Sequence, residues 1–158
     1  MEYSTFGKHI IVDLWGVDFS LLDDMYFLEH HLVHAADLSG AHVLNVSTKE
    51  FDPHGVTVLV LLSESHLSIH TYPEKNFAAI DCYTCGTTIE PQIAIDYIVS
   101  ILKPNEMHIK KLIRGIGEIV NTDSIPLLFI CKKEECKYHQ WNEHSTDGTD
   151  TYIFFHLN

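Results

Sequence analysis

Between residues 41 and 84 the chain passes through four short runs of β-branched and apolar side chains, divided by the turn compositions DPHG and PEKN. The runs are AHVLNVSTKEF (41–51), GVTVLVLLS (55–63), the stretch around LSIHTY (66–72) and FAAIDCYT (77–84). Pro presets φ, while Gly and Asn accept positive φ, so both separators favour reversal of the chain. Runs so closely spaced leave no room for the long crossover that a parallel return needs. They predict successive antiparallel strands.

What flanks this block fixes the layers. KHIIVDLW (8–15) reads as a first strand. Asp18 or Ser20 can then cap a helix whose Leu21, Leu22, Met25, Leu28, Leu32, Ala35 and Ala36 share one face, with Gly40 as its stop. A second helix should open at Pro91, after Glu90, present Ile93, Ala94, Tyr97, Ile98, Ile101 and Leu102, and end before Pro104. Residues 106–114 read as a further strand. The order β-α-β-β-β-α-β predicts an α/β protein of the α+β kind, a two-layer sandwich with both helices on one face of a mainly antiparallel sheet. The other sheet face then needs cover, from a second copy or from the tail. In the tail, IPLLFICK and TDTYIFFHLN suggest two strands joined by a polar loop, a C-terminal β-hairpin extension over 116–158 of a single domain.

Composition narrows the partners. Only 10 Lys and Arg stand against 22 Asp and Glu, a formal charge of -12, which argues against a nucleic-acid backbone binder. A small cationic substrate is better tolerated. The N-terminal MEYSTFGKHIIVDLWG lacks a basic segment followed by a long apolar run, and no stretch approaches a membrane span, so a cytoplasmic protein without membrane contact is expected. In a reducing cytosol the four cysteines, Cys82, Cys85, Cys131 and Cys136, are expected as thiols. No HExxH or paired CxxC gathers the 12 histidines. Cys131, Cys136, His139 and His144 are too irregularly spaced for a zinc site and read as a solvated loop, so no metal is expected.

The stretch that carries chemistry is SESHLSIHTYPEKNFAAIDCYTCG, residues 63–86. Its composition alone describes strands and turns. Its pattern is more specific: Glu64-Ser65-His66, Ser68-Ile69-His70-Thr71, Pro73-Glu74 and Thr84-Cys85-Gly86. This resembles the prokaryotic S-adenosylmethionine decarboxylases, whose signature is close to SESHxxIHTxPE followed by a strand ending in TCG. The resemblance runs from about Lys8 to Gly115 and includes the FxPxGV element, here Phe51-Asp52-Pro53-His54-Gly55-Val56. Residues 116–158 lie outside it.

The resemblance implies that Ser65 attacks the Glu64 carbonyl, that the resulting ester eliminates, and that the chain splits into 1–64 and 65–158 with a pyruvoyl group on residue 65. That ketone would take the substrate amine as a Schiff base and accept the electrons released with CO2, so the cofactor is self-made and neither pyridoxal phosphate nor metal is needed. By the same resemblance His70 is the base in processing, and Cys85 is the acid that protonates the substrate carbon. Thr57 stands where the family usually has a serine assisting cleavage. Phe51 aligns with an aromatic that stacks on adenine, and Glu74 with an acid near the ribose or the cationic substrate. The implied product is the aminopropyl donor for spermidine synthesis, made by a homodimer of cleaved protomers with sites near the interface.

Two departures bear on substrate. Asp52 follows Phe51 where an apolar residue is common, and Tyr72 replaces a tryptophan before Pro73. Asp52 would suit the distal charge of ornithine or arginine, which makes a pyruvoyl-dependent ornithine or arginine decarboxylase the alternative; it also suits a turn before Pro53. A further alternative is an uncleaved, non-catalytic regulatory partner.

Overall fold

The computed structural model describes residues 5–86 and 88–122. Seven strands form one sheet: β1 (Gly7–Trp15), β2 (Val43–Glu50), β3 (Val56–Leu62), β4 (Ser65–Tyr72), β5 (Phe77–Cys85), β6 (Glu106–Arg114) and β7 (Val120–Asn121). Their order is β2-β3-β4-β5-β1-β6-β7, and every neighbouring pair is antiparallel. Three helices, α1 (Phe19–Leu22), α2 (Met25–Leu38) and α3 (Pro91–Leu102), complete it. The long helices touch each other and the sheet, α2 over β2, β3 and β4 and α3 over β1 and β5. This is the expected two-layer α+β sandwich.

Period-two alternation decides which side is core. Ile10, Val12 and Leu14 of β1, Val58, Val60 and Leu62 of β3, Leu67 and Ile69 of β4, and Ala78, Ile80 and Cys82 of β5 are buried with Leu28, Leu32, Ala94, Ile95 and Ile98 of the helices. Their neighbours in sequence face the other way, and on that open face Ile11, Trp15, Leu59, Leu61 and Tyr72 are 37–52% exposed.

Several expectations need correction. Four strands, not three, separate the helices, one for each β-type run, because Ser63 and Glu64 alone suffice to reverse the chain between β3 and β4. The first helix is broken: Asp18 accepts from the Ser20 N–H and caps α1, then Asp24 accepts from the Phe27 N–H and caps α2. On α3 it is Ile95 that is buried, while Ile93 stands 46% exposed. The short β7 carried no usable signal. The proposed hairpin strands and the residues Cys131, Cys136, His139 and His144 lie outside the described residues.

Candidate active site

Ser63 and Glu64 form the turn between β3 and β4, and the sheet grips it closely. The Ser63 N–H donates to the His42 carbonyl at 2.9 Å, and the His42 N–H donates to the Glu64 carboxylate at 3.0 Å. Burial pushes that carboxyl up, but hydrogen bonds from Ser63 and from the His42 and Glu64 backbone outweigh it and hold the group below its ordinary range. The Glu64 carbonyl itself accepts the Cys85 N–H at 2.9 Å. A peptide carbonyl so held is polarised for attack at carbon.

Ser65, next in line, has φ 150°. Side chains of L-residues rarely occupy this region, and a residue held there stores about 1–3 kcal/mol of strain. Cleavage of the preceding peptide bond would release it. The Ser65 hydroxyl lies 3.2 Å from His66 Nδ1. Burial, then the charges of His9 and Arg114, push the His66 imidazole below its usual value against the pull of Asp81, so it is neutral at physiological pH.

Ser65 pairs with Thr84 across the ladder, and Cys85 follows as a half-buried free thiol. Cys82 differs sharply. It points into the core, where burial and the charges of Asp81 and Glu90 push its thiol up to about 12. Of the two described thiols, Cys85 is the one placed for chemistry.

At the opposite end of β4, Thr57 Oγ1 and His70 Nδ1 are hydrogen-bonded at 2.5 Å across the β3–β4 pair. Phe51 and Tyr72 wall the imidazole edge-on, with centroids 5.7 Å and 4.6 Å from it. Phe51 is held by a closed loop in which its N–H donates to the Gly55 carbonyl at 2.8 Å. Gly55, at φ 108°, has no room for a side chain, since a Cβ would stand 2.9 Å from the Thr71 carbonyl. Asp23 anchors the loop from α1's end, accepting from the Gly55 N–H at 2.9 Å and meeting His54 at 2.8 Å. Asp52 is exposed before a cis bond to Pro53, and Glu74 is exposed on the 3-10 turn after β4.

The predicted residues therefore form two groups, not one. Glu64, Ser65 and Cys85 occupy one end of the sheet; Thr57, His70 and Phe51 the other, with Asp52 and Glu74 at that rim. Five residues of extended strand separate Ser65 from His70, about 16 Å. Sequence reasoning missed a third set beside Cys85: Tyr83, His9, Asp81 and Arg114. Asp81, Tyr83 and Cys85 alternate visibly along β5, but His9 and Arg114 arrive only through cross-strand pairing. Among the described residues no group of three or more His, Cys, Asp or Glu could hold a metal ion, and no helix is long and apolar enough to cross a membrane.

Comparison with known proteins makes this chain, which sets a strained serine beside a gripped carbonyl, a half-buried thiol and a hydroxyl-anchored imidazole on one sheet, an enzyme, a decarboxylase of the lyase class. The family model described as S-adenosylmethionine decarboxylase matches residues 8–115, and the chain belongs to that family. It is 99% identical over 123 residues, 78% of its length and 100% of the relative's, to an S-adenosylmethionine decarboxylase proenzyme 2 of Bacillus cereus. It is 48% identical over 127 residues to an S-adenosylmethionine decarboxylase proenzyme of Symbiobacterium thermophilum, covering 80% of this chain and 96% of that one. Among solved structures, the crystal structure of the adenosylmethionine decarboxylase from Aquifex aeolicus superposes with a TM-score of 0.68 at 38% identity, over 73% of this chain and 95% of that one.

Proposed function

We propose that this chain is a self-cleaving proenzyme whose mature form decarboxylates S-adenosylmethionine with a pyruvoyl group carried on residue 65. The observation that carries the reading is the junction itself: Ser65 at φ 150° directly after a carbonyl held by the Cys85 N–H. Ser65 Oγ attacks the Glu64 carbonyl carbon and the amide becomes an ester; elimination then leaves 1–64 ending in a carboxylate and a dehydroalanine at residue 65, whose imine tautomer takes up water and releases ammonia to give the ketone at the head of 65–158. The pairing of Ser65 with Thr84 keeps residue 65 in the sheet afterwards. Thr84 is buried and its Oγ1 lacks a hydrogen-bond partner. An orphaned donor beside residue 65 fits a group rich in carbonyl oxygens.

A pyruvoyl group supplies a ketone that captures the substrate amine and a sink for the electrons left by CO2. Everything else falls to the chain. Cys85 Sγ carries the proton destined for the substrate carbon. In the tautomer that carries its proton on Nδ1, shared with Thr57 Oγ1, His70 presents the Nε2 lone pair as the base for elimination. Phe51, 42% exposed, offers a face to a purine, and Glu74 an acid to the ribose or the cationic substrate.

His70 cannot span about 16 Å to the serine of its own strand. A two-fold pairing of open faces, which also covers Ile11, Leu59 and Leu61, brings Thr57 and His70 of one protomer to Ser65 and Cys85 of its partner. The names of the relatives favour S-adenosylmethionine over ornithine or arginine, and the reading is of a cytoplasmic enzyme feeding spermidine synthesis. Two measurements test it. Purified protein should resolve on a denaturing gel and by intact mass into 1–64 and 65–158, with Ser65→Ala remaining whole. Labelled CO2 should come from S-adenosylmethionine and not from ornithine, arginine or lysine; a single uncleaved band, or release from ornithine or arginine alone, would overturn the reading.

A further inference from the structure

Gly7 of β1 stands directly opposite Cys85 of β5, with Arg114 of β6 on its other side. A Cβ on Gly7 would lie 2.5–2.8 Å from the ring and hydroxyl of Tyr83. The missing side chain is thus a seat: the Tyr83 ring lies across β1 and its hydroxyl occupies the space beside Cys85 that a side chain at position 7 would fill. Directly opposed residues place their side chains about 5 Å apart, so an oxygen in that seat is within reach of the thiol.

Other groups hold the ring there. The Arg114 guanidinium stands 4.6 Å from the Tyr83 centroid, and its Nη1 is 3.4 Å from His9 Nδ1. His9 Nε2 in turn meets Asp81 at 3.1 Å, and the His9 and His66 rings flank Tyr83 at 5.5 Å and 6.1 Å. Side chains from β1, β4, β5 and β6 therefore converge on one phenol.

We infer that Tyr83 is a positioning residue for Cys85, its phenol donating to the sulfur and steadying the thiolate that remains once the thiol proton has gone to the substrate carbon. The inference rests on the proton-donor role proposed for Cys85. The step balances simply: the proton leaves sulfur for carbon, the sulfur keeps the bonding pair, and solvent returns a proton before the next turnover. Tyr83 keeps its own proton throughout. Burial, then its hydrogen bond to Cys85 and the Cys85 charge, push the phenol above its ordinary value against the opposing pull of Arg114. A phenol that does not ionise remains a donor.

The test needs no turnover. In full-length Ser65→Ala protein, the rate of Cys85 alkylation by iodoacetamide is followed against pH, with peptide mass spectrometry assigning the label to Cys85. Adding Tyr83→Phe, which keeps the ring over Gly7, should raise the midpoint of that profile by about one pH unit, the loss of one hydrogen bond to a charged group. Gly7→Ala, which keeps the phenol but drives it from its seat, should shift the midpoint the same way. Unchanged midpoints in both variants overturn the inference, since a ring that only packs would leave the thiol's titration alone. In the self-cleaving protein, Tyr83→Phe should lower kcat several-fold with KM and cleavage near the native values; an unchanged kcat also overturns it. If the native protein releases no CO2 from S-adenosylmethionine, the proposed function fails, whereas the alkylation profile still decides Tyr83 by itself.

Discussion

Single hydroxyl groups separate function from packing in this sheet. Thr57 and Thr71 lie on adjacent strands, yet Thr71 faces the core, donating to the Leu22 carbonyl and accepting from the Val56 N–H at 2.8 Å each, while Thr57 spends its hydroxyl on His70. Thr57→Val should therefore slow appearance of the 65–158 fragment by about tenfold to a hundredfold and barely move the melting temperature. A Thr57→Ser chain should cleave near the native rate, and equal rates for Val and Thr would detach the hydroxyl from processing. Lys8 makes the opposite case. Only 4% exposed, it reaches Glu90 at 2.8 Å and fastens the start of α3 to β1. Lys8→Met, which keeps the stem and drops the charge, should cost about 2 kcal/mol in urea unfolding, with cleavage intact.

At the scale of elements, helix periodicity and helix burial part company on α3. Ile93 and Ile95 are equally apolar, but the helix turns Ile95 to the core and Ile93 to solvent. Ile95→Ala should cost about 3 kcal/mol of unfolding free energy, and Ile93→Ala less than about 0.5. The sequence pattern showed that a helix begins at Pro91 but not which of two neighbouring isoleucines packs, because that depends on the sheet beneath. The same limit explains the site. Ser65, His70 and Cys85 could be singled out as candidates because they lie within one contiguous motif, and the strands were legible because their turns are short and chemically marked. Tyr83 with Arg114, and the break of the first helix at Asp23, follow from register and loop anchoring, which no local pattern encodes. Between α2 and α3, His31 Nδ1 meets the Tyr97 hydroxyl at 2.6 Å, with the His34 ring also against Tyr97 and the His30 and Phe27 rings against His31. Burial, then the charges of His30 and His34, lower the His31 pKa from 6.5. Below 6.5 the unfolded chain therefore binds the extra proton first, so this contribution is whole above that pH and is lost as pH falls through the lower folded value. His31→Gln should flatten the fall of stability with acid, measured by urea titrations between about pH 7 and about pH 5; an equally steep fall would clear His31 of the effect.

For the whole molecule, the proposed processing turns the placement of the two groups at opposite ends of one sheet into a requirement for assembly. Each chain owns both the Glu64–Ser65 junction and the Thr57–His70 pair, and β4 holds them at its opposite ends. A two-fold axis lying between two stacked open faces and running across the strands would solve this without new residues, since it would exchange the ends and set each pair against the partner's junction. The exposed Leu59 and Leu61, 51% and 52% accessible, lie between the ends on β3 and would be covered by the same contact, which ties the burial of apolar surface to completion of the site. Complementation decides whether catalysis crosses the interface. His70→Ala and Ser65→Ala chains should each stay uncleaved alone. Unfolded together in equal amounts and refolded, about half of the dimers are mixed, and in these the intact Ser65 of the His70→Ala chain meets His70 of the partner subunit. About half of the His70→Ala chains should then split, while the Ser65→Ala chains stay whole. Were His70 to act within its own chain, mixing would rescue nothing, and the about 16 Å between the groups would need a movement of β4 that its pairing on both edges opposes.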